Sequence, residues 1–239
     1  MLALLRTRRW IAFTALVLIA IVAFGLLSRW QWYRANEKQT QRIALEEAAA
    51  ANPTDLTALV ARAPDWKSIS VTGTYDRSTQ VVVRQRPQDG RNGFWVLTPL
   101  MLADDRTVWV VRGWLSASSS ATTSPDIPEP PPGKVAVIGS WHGFEKVNEA
   151  SRTGLPAKMV GAVDPSVLPL VGDFDGYLRL TTATPSQEAL VFVAAPQIDD
   201  SMNLSYAGQW LLFAGVALVG WYFFLRREAN EDARDSPAL

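Results

Sequence analysis

The chain has 239 residues, nearly half of them hydrophobic, with 23 basic and 23 acidic side chains and so no net formal charge. That balance suits one globular domain with membrane segments and excludes nucleic-acid binding through a basic surface. Cysteine is absent and histidine occurs once, at position 142, which removes disulfides, thiolate metal sites, cysteine nucleophiles and His-based catalytic triads.

In chain order, residues 1–9 form a basic N-terminus. The apolar run from Trp10 to Leu27 carries no charge, and a helix of ~20 such residues crosses a ~30 Å hydrocarbon core. No small-x-small cleavage site follows it, because the next residues are bulky or basic, so residues 10–29 predict an uncleaved transmembrane helix. Residues 30–65 keep helical propensity as far as Pro53 and predict a stalk with a short helix. From Trp66 the period changes to two. Runs such as KSISVTGTYD, QVVVRQRP, GFWVLTPLML, TVWVVRGWL, KVAVIGSWHGF, YLRLTT and ALVFVAAP, with a hairpin-like ADDR between two of them, predict a β-rich domain over residues 66–204. Residues 116–133 form a polar, Pro-rich insertion expected to be extended or mobile, such that shortening 118–131 costs little. Residues 205–225 predict a second transmembrane helix, and 226–239 a tail. The fold class is therefore a membrane protein of α+β type, with two transmembrane helices flanking a mostly antiparallel sheet or small barrel.

Orientation follows from the second span, where Asp199 and Asp200 precede it and Arg226 and Arg227 follow it. The basic end belongs in the cytoplasm, so both termini are expected inside and the domain outside the plasma membrane of a bacterium.

Few residues suggest chemistry. His142 reads as a loop histidine, Met159 and Met202 as packing residues rather than axial haem ligands, and no lysine stands beside a serine in a nucleophile setting. No metal site, no catalytic residue and no enzymatic activity are expected. The membrane entry is different. On a helix, Asn203, Tyr206, Trp210 and Phe213 share a stripe with Gln209 at its margin, and Trp30, Gln31 and Arg34 occupy the matching depth on the first helix. An aromatic belt at the lipid headgroups explains Tyr206 and Trp210, whereas Gln209 calls for an amide or carbonyl partner from another helix.

These residues also carry a resemblance. A W-Q-x-x-R-x-x-x-K pattern lies at Trp30, Gln31, Arg34 and Lys38. The domain contains V-x-G-x-Y at Val71, Gly73 and Tyr75, TPL at Thr98, Pro99 and Leu100, and VVRGW ending in Arg112, Gly113 and Trp114. Y-A-x-Q-W-x-x-F-A spans Tyr206 to Ala214, and RRE spans Arg226 to Glu228. In this order, between two anchors, the chain resembles the surfeit locus protein 1 family, the assembly factors of haem-copper cytochrome c oxidase. The resemblance implies a non-enzymatic factor of an aa3-type oxidase that aids haem a insertion or stabilises the large catalytic subunit. That subunit, other respiratory-complex subunits and the bilayer are the implied partners. A permanent structural subunit of the oxidase or of a supercomplex, or an anchored binding module for another partner, are the alternatives. Family members with proposed haem binding tend to carry histidine at the head of the second-helix motif, where this chain has Asn203. Asparagine ligates haem iron poorly, so no haem a ligand is expected from that position, while Arg34 is the expected partner for a propionate.

Overall fold

The computed structural model describes residues 4–58, 63–117, 125–147 and 154–235. The chain forms two compact units, one from Met1–Ile43 with Gln197–Leu239, the other from Ala44–Pro196.

The first unit is a pair of long helices, α1 (Arg8–Ala50) and α2 (Ser201–Asp235). Both are long and apolar enough to cross a membrane. With no proline in its body, α1 runs on unbroken until the approach to Pro53. At ~1.5 Å per residue its 43 residues are about twice what a ~30 Å hydrocarbon core requires. The first turn of α2 is capped by Asp199, whose Oδ1 accepts from the Ser201 amide at 2.9 Å. The two helices run antiparallel. Arg9 pairs with Glu228, the Phe13 ring meets Phe224, Trp221 Nε1 donates to Thr14 Oγ1 at 3.0 Å, and Ser28 Oγ donates to the Ala207 carbonyl at 2.9 Å. Ser28 and Ala207 are only 7% and 3% exposed, small residues buried at the contact between the two helices.

The second unit is built on a closed ring of five strands: β2 (Ser68–Tyr75), β4 (Gly93–Leu102), β5 (Thr107–Ser116), β6 (Lys134–Gly143) and β8 (Gly176–Thr184). Going round, β2 pairs with β6, β6 with β8, β8 with β5, β5 with β4, and β4 returns to β2. Every pairing in the ring is antiparallel except β5–β8, and the small barrel removes the exposed edges an open sheet would carry. Alternate residues, Ile69, Val71, Leu100, Val108, Val110, Val137 and Leu178 among them, fill its interior. Two further cores lie on the outer faces, one around Trp109, Tyr177 and Leu97, the other around Phe94, Val96 and Met159. They are covered in part by β3 (Val81–Val83) and β7 (Met159–Val160).

The predicted ADDR turn joins β4 to β5, with Asp105 at a positive φ of 64°. Three segments differ from the sequence reading. Within 30–65, the helix ends at Ala50 and Thr54–Asp55 forms a two-residue strand, β1, parallel to β2. The run ALVFVAAP is extended but makes a single bridge, Val191 to Trp114, because β8 already occupies β5 from Trp109 to Val111. The Pro-rich insertion is the third. Residues 118–124 lie outside the described residues, but Pro128 and Glu129 are held through their carbonyls by Arg112, Arg77 pairs with Glu129 at 3.0 Å, and Ile127 packs on the third core. The expected tolerance to trimming therefore does not extend to 125–131, which the domain binds.

Candidate partner interface

The collar residues of the helix pair divide into an inner and an outer set. The inner set is bonded between the helices. Asn203 Nδ2 donates to Gln31 Oε1 at 2.8 Å, and Asn203 Oδ1 accepts from Lys38 Nζ at 2.7 Å, which also donates to the Asp199 carbonyl at 3.0 Å. Both functional atoms of the Asn203 amide are thus committed to α1. Trp210 belongs to this set as well, since its ring stacks on Phe24 at 5.7 Å with 22° between planes, and Phe213 lies 6.0 Å from the same ring.

The outer set faces away from the pair. Trp30 is 56% and Tyr206 45% exposed, and Gln209 is exposed with no hydrogen-bond partner among the described residues. Arg34, expected to await a propionate, forms an exposed ion pair with Glu37 one turn on, at 3.0 Å. Such a pair contributes well under ~1 kcal/mol and leaves the guanidinium available for exchange.

The domain motifs converge on a different feature. β5 carries a bulge opposite Val96 and Leu97, whose partners jump from Gly113 to Val111, so Arg112 is the extra residue. A bulge re-aims its side chain. Here the guanidinium, 2% exposed, is directed at Gln187 Oε1 from Nε (2.6 Å), at Gln80 Oε1 (2.6 Å) and the Pro128 carbonyl from Nη1, and at the Glu129 carbonyl from Nη2. Thr98 Oγ1 donates to the same Gln80 oxygen, and Gln187 Nε2 donates to the Tyr75 hydroxyl, over whose ring the guanidinium lies. Burial lowers the Arg112 pKa to about 10 and raises that of Tyr75 to about 12, so Arg112 stays charged and Tyr75 neutral near pH 7. Gly73 and Gly113 make room for this. A Cβ on Gly73 meets the Met101 carbonyl oxygen at 2.3 Å at the β2–β4 seam, and one on Gly113 meets Leu190 Cβ at 2.7 Å. The neighbouring Trp114 donates Nε1 to the Arg86 carbonyl at 2.6 Å, and Pro99 accepts the Asp76 amide at 2.9 Å. Gln80 and Gln187, which complete the node, carry no signal in the sequence beyond being polar residues beside apolar runs.

His142 is not a loop residue. It lies in β6, 8% exposed, with Nε2 and Ser140 Oγ 2.8 Å apart, Trp66 edge-on at 4.5 Å and Tyr177 stacked at 5.5 Å. Alternation in the KVAVIGSWHGF run was the signal that places it in the strand. Burial, then the nearby Arg179 charge, lowers its pKa to about 4 from an ordinary 6.5, against a smaller raising effect of Asp65. The unfolded chain therefore takes up the proton first as pH falls. The contribution of the neutral ring is fully present above pH 6.5 and is lost on the way down to pH 4, an amount of at most ~3 kcal/mol. His142→Asn should flatten this part of the acid-unfolding profile relative to wild type, as read by near-UV circular dichroism between pH 6.5 and 4; parallel profiles would show that the ring is not held neutral.

These positions bear on haem. Asn203 has no free atom, His142 is enclosed with its Nε2 engaged, and Met159 is packed in the third core. Among the described residues, no three His, Asp or Glu side chains converge to hold a metal ion. None of Asn203, His142 and Met159 offers a free ligand atom to a haem iron.

Residues 18–215 match the sequence profile of the SURF1 family, which is most of the chain and includes the barrel and part of each long helix. The chain belongs to the SURF1 family. Similar proteins include SURF1-like proteins of Mycobacterium bovis and of Mycobacterium tuberculosis, each 28% identical over 257 residues, covering 98% of this chain and 90% of theirs. A SURF1-like protein of Rickettsia bellii is 26% identical over 102 residues, covering 42% of each chain. The SURF1 family is generally known for cytochrome oxidase assembly. Within a SURF1 protein, the V-x-G-x-Y, TPL and VVRGW elements acquire a physical meaning here: Gly73, Tyr75, Thr98 and Arg112 all belong to the barrel seam or its buried node.

Proposed function

We propose that this SURF1 protein is a non-enzymatic assembly factor of a haem-copper cytochrome c oxidase, and that the outer collar of its helix pair docks on the large catalytic subunit at the outer face of the plasma membrane. The observation that carries the reading is the division of the collar. Asn203 is satisfied by Gln31 and Lys38, whereas Gln209, one helical turn from Tyr206, presents an amide with no partner among the described residues beside exposed aromatic rings. An amide at that depth is stabilised by a partner in another helix. The protein acts on haem a insertion by holding the oxidase subunit rather than by ligating the iron itself, in keeping with the engaged Asn203.

Both termini are cytoplasmic in this reading. Its support is the antiparallel pairing of α1 and α2, which brings both chain ends to one end of the pair, and the Arg226–Arg227 doublet there. In the cysteine-free chain, Ser186→Cys should react with a membrane-impermeant maleimide in intact cells while Ser236→Cys reacts only after lysis; the reverse pattern overturns the orientation.

The docking test compares outer and inner collars. Tyr206→Ala with Gln209→Leu should leave insertion intact and lower co-purification with the oxidase about tenfold, since one interhelical amide contributes only ~1 kcal/mol and an aromatic anchor adds to it. Haem a per oxidase should fall in parallel. Undiminished co-purification would reduce the outer collar to a lipid-facing belt. Persistent stoichiometric association of wild type with fully haem-loaded oxidase would instead favour a permanent subunit.

A further inference from the structure

On the outer side of the barrel, away from the Arg112 node, arginine and aromatic side chains alternate in one connected row. Arg86 Cζ lies 4.2 Å from the Trp95 ring centre, Arg179 Cζ lies 5.1 Å from the same ring and 5.3 Å from that of Trp66, and Trp66 meets His142, which stacks on Tyr177. Trp66, Trp95, Arg86 and Arg179 are all half-buried, neither enclosed nor free.

The two arginines differ in what answers their charge. Arg86 is paired with Glu145, a carboxylate itself fixed by the Val163 amide at 2.9 Å. Arg179 has one partner, the Ala194 carbonyl at 2.9 Å from Nη2; its Nε is shielded from solvent and unbonded, and no carboxylate among the described residues forms an ion pair with it. Desolvation pushes its pKa down, aided by the Arg86 charge and opposed by Tyr177 and by the more distant Glu145. Arg112 also lacks a carboxylate, yet four hydrogen bonds satisfy it. A partly desolvated cation is ordinarily paired, and Arg179 is not.

The surroundings fix the guanidinium in place. Two indoles flank it, which pre-orients a planar fork for bidentate capture of a carboxylate. Trp66 holds its position with a φ of 71°, a left-handed conformation unfavourable for a bulky residue, tied by its amide to the Trp141 carbonyl at 2.8 Å. Beyond the Ala194 contact, the extended segment exposes Val191 and Phe192, 55% and 49% accessible.

We propose that Arg179, held between Trp66 and Trp95, is a carboxylate-binding site for an acidic, partly apolar peptide segment of a partner protein. The guanidinium, which forms no ion pair among the described residues, selects the acidic side chain, and the half-exposed indoles with Val191 and Phe192 supply the apolar rim. The site is separate from the helix collar and does not depend on the oxidase reading.

The experiment uses the full chain in detergent and a fluorescein-labelled peptide alternating glutamate with leucine and phenylalanine, against its glutamine counterpart, with inorganic phosphate as competitor. Fluorescence anisotropy should show the acidic peptide bound, its affinity falling as salt rises. Arg179→Gln should weaken binding about tenfold or more, as expected for loss of a charge-assisted hydrogen-bonded pair. Arg179→Lys, which keeps the charge and loses the fork, should fall between, and Arg91→Gln, an exposed arginine outside the row, should match wild type. Equal melting temperatures certify the fold; if Arg179→Gln does not fold, the Arg179→Lys loss decides. No binding of the acidic peptide, equal binding of the glutamine peptide, or wild-type affinity in Arg179→Lys together with Arg179→Gln would overturn the proposal. Full displacement by millimolar phosphate would overturn the peptide assignment in favour of a simple oxyanion site.

Discussion

Arg112→Ala should unfold or nearly unfold the barrel. The substitution removes a charge that is paired with no acid, but it leaves the buried Gln187 oxygen without a donor, leaves Gln80 with Thr98 alone, and releases the part-buried carbonyls of Pro128 and Glu129. Each buried acceptor left without a donor costs ~1–3 kcal/mol. Together with the cavity left by the buried side chain, the loss is a large share of the ~5–15 kcal/mol by which a domain of this kind is ordinarily stable. Arg112→Lys should recover little, because a single ammonium cannot reach four acceptors lying in different directions. The check is thermal unfolding by near-UV circular dichroism of the purified chain, with limited proteolysis of the 125–131 segment as a second readout, since two of the lost bonds anchor it. Wild-type melting in Arg112→Ala would show that the node is ornamental to stability.

Gly73→Val should be nearly as damaging, for a steric reason rather than a polar one. Gly73 is paired on both sides, to Leu102 of β4 and Val135 of β6, at the place where the ring of strands closes. The first side-chain carbon would sit 2.3 Å from the Met101 carbonyl oxygen, and a backbone atom cannot swing aside as a side chain can. Overpacking of this kind costs up to ~3 kcal/mol, and opening the seam exposes the ladder groups of β2 and β4 as well. Thr72→Val, on the neighbouring exposed position, should change the melting temperature little. Comparable melting of the two variants would mean that β2 and β4 separate without consequence and the barrel is in effect an open sheet.

Much of the architecture was legible because it depends on local periodicity. Uncharged apolar runs announced both membrane helices, and alternation announced the strands, including the β4–β5 hairpin with Asp105 in its turn. What periodicity cannot convey is which distant polar groups meet. Arg112 lies 32 residues from Gln80 and 75 from Gln187, and nothing in VVRGW specifies either partner. The bulge that turns Arg112 inward arises from strand register, a tertiary property. The same blindness hides the meeting of Trp66, Trp95 and Arg179, each of which looks alone like an ordinary residue in or beside a strand. His142 reads as a loop histidine because no second His or Cys accompanies it, which says nothing of its burial in β6; Gly139 of that strand allows close approach to the Arg179 carbonyl, 2.5 Å from where a Cβ would be. In the helix pair, the sequence singles out the collar as a group, but only the register of α1 against α2 separates Trp210, which faces Phe24, from Tyr206, which is exposed.

The bonds between α1 and α2 also set an order of events during synthesis. Lys38 and its acceptor at Asp199 are 161 residues apart, and at ~5–20 residues per second the ribosome needs roughly 8–30 s to traverse that interval. For that time the first helix resides in lipid alone. Its Ser28 and Thr14 hydroxyls can bond back to carbonyls one turn earlier, so the wait is tolerable. The barrel has left the ribosome by the time Asn203 emerges. The polar rung therefore closes only after the barrel has been made, and the contacts of Trp221, Phe224 and Glu228 with the start of the first helix follow it.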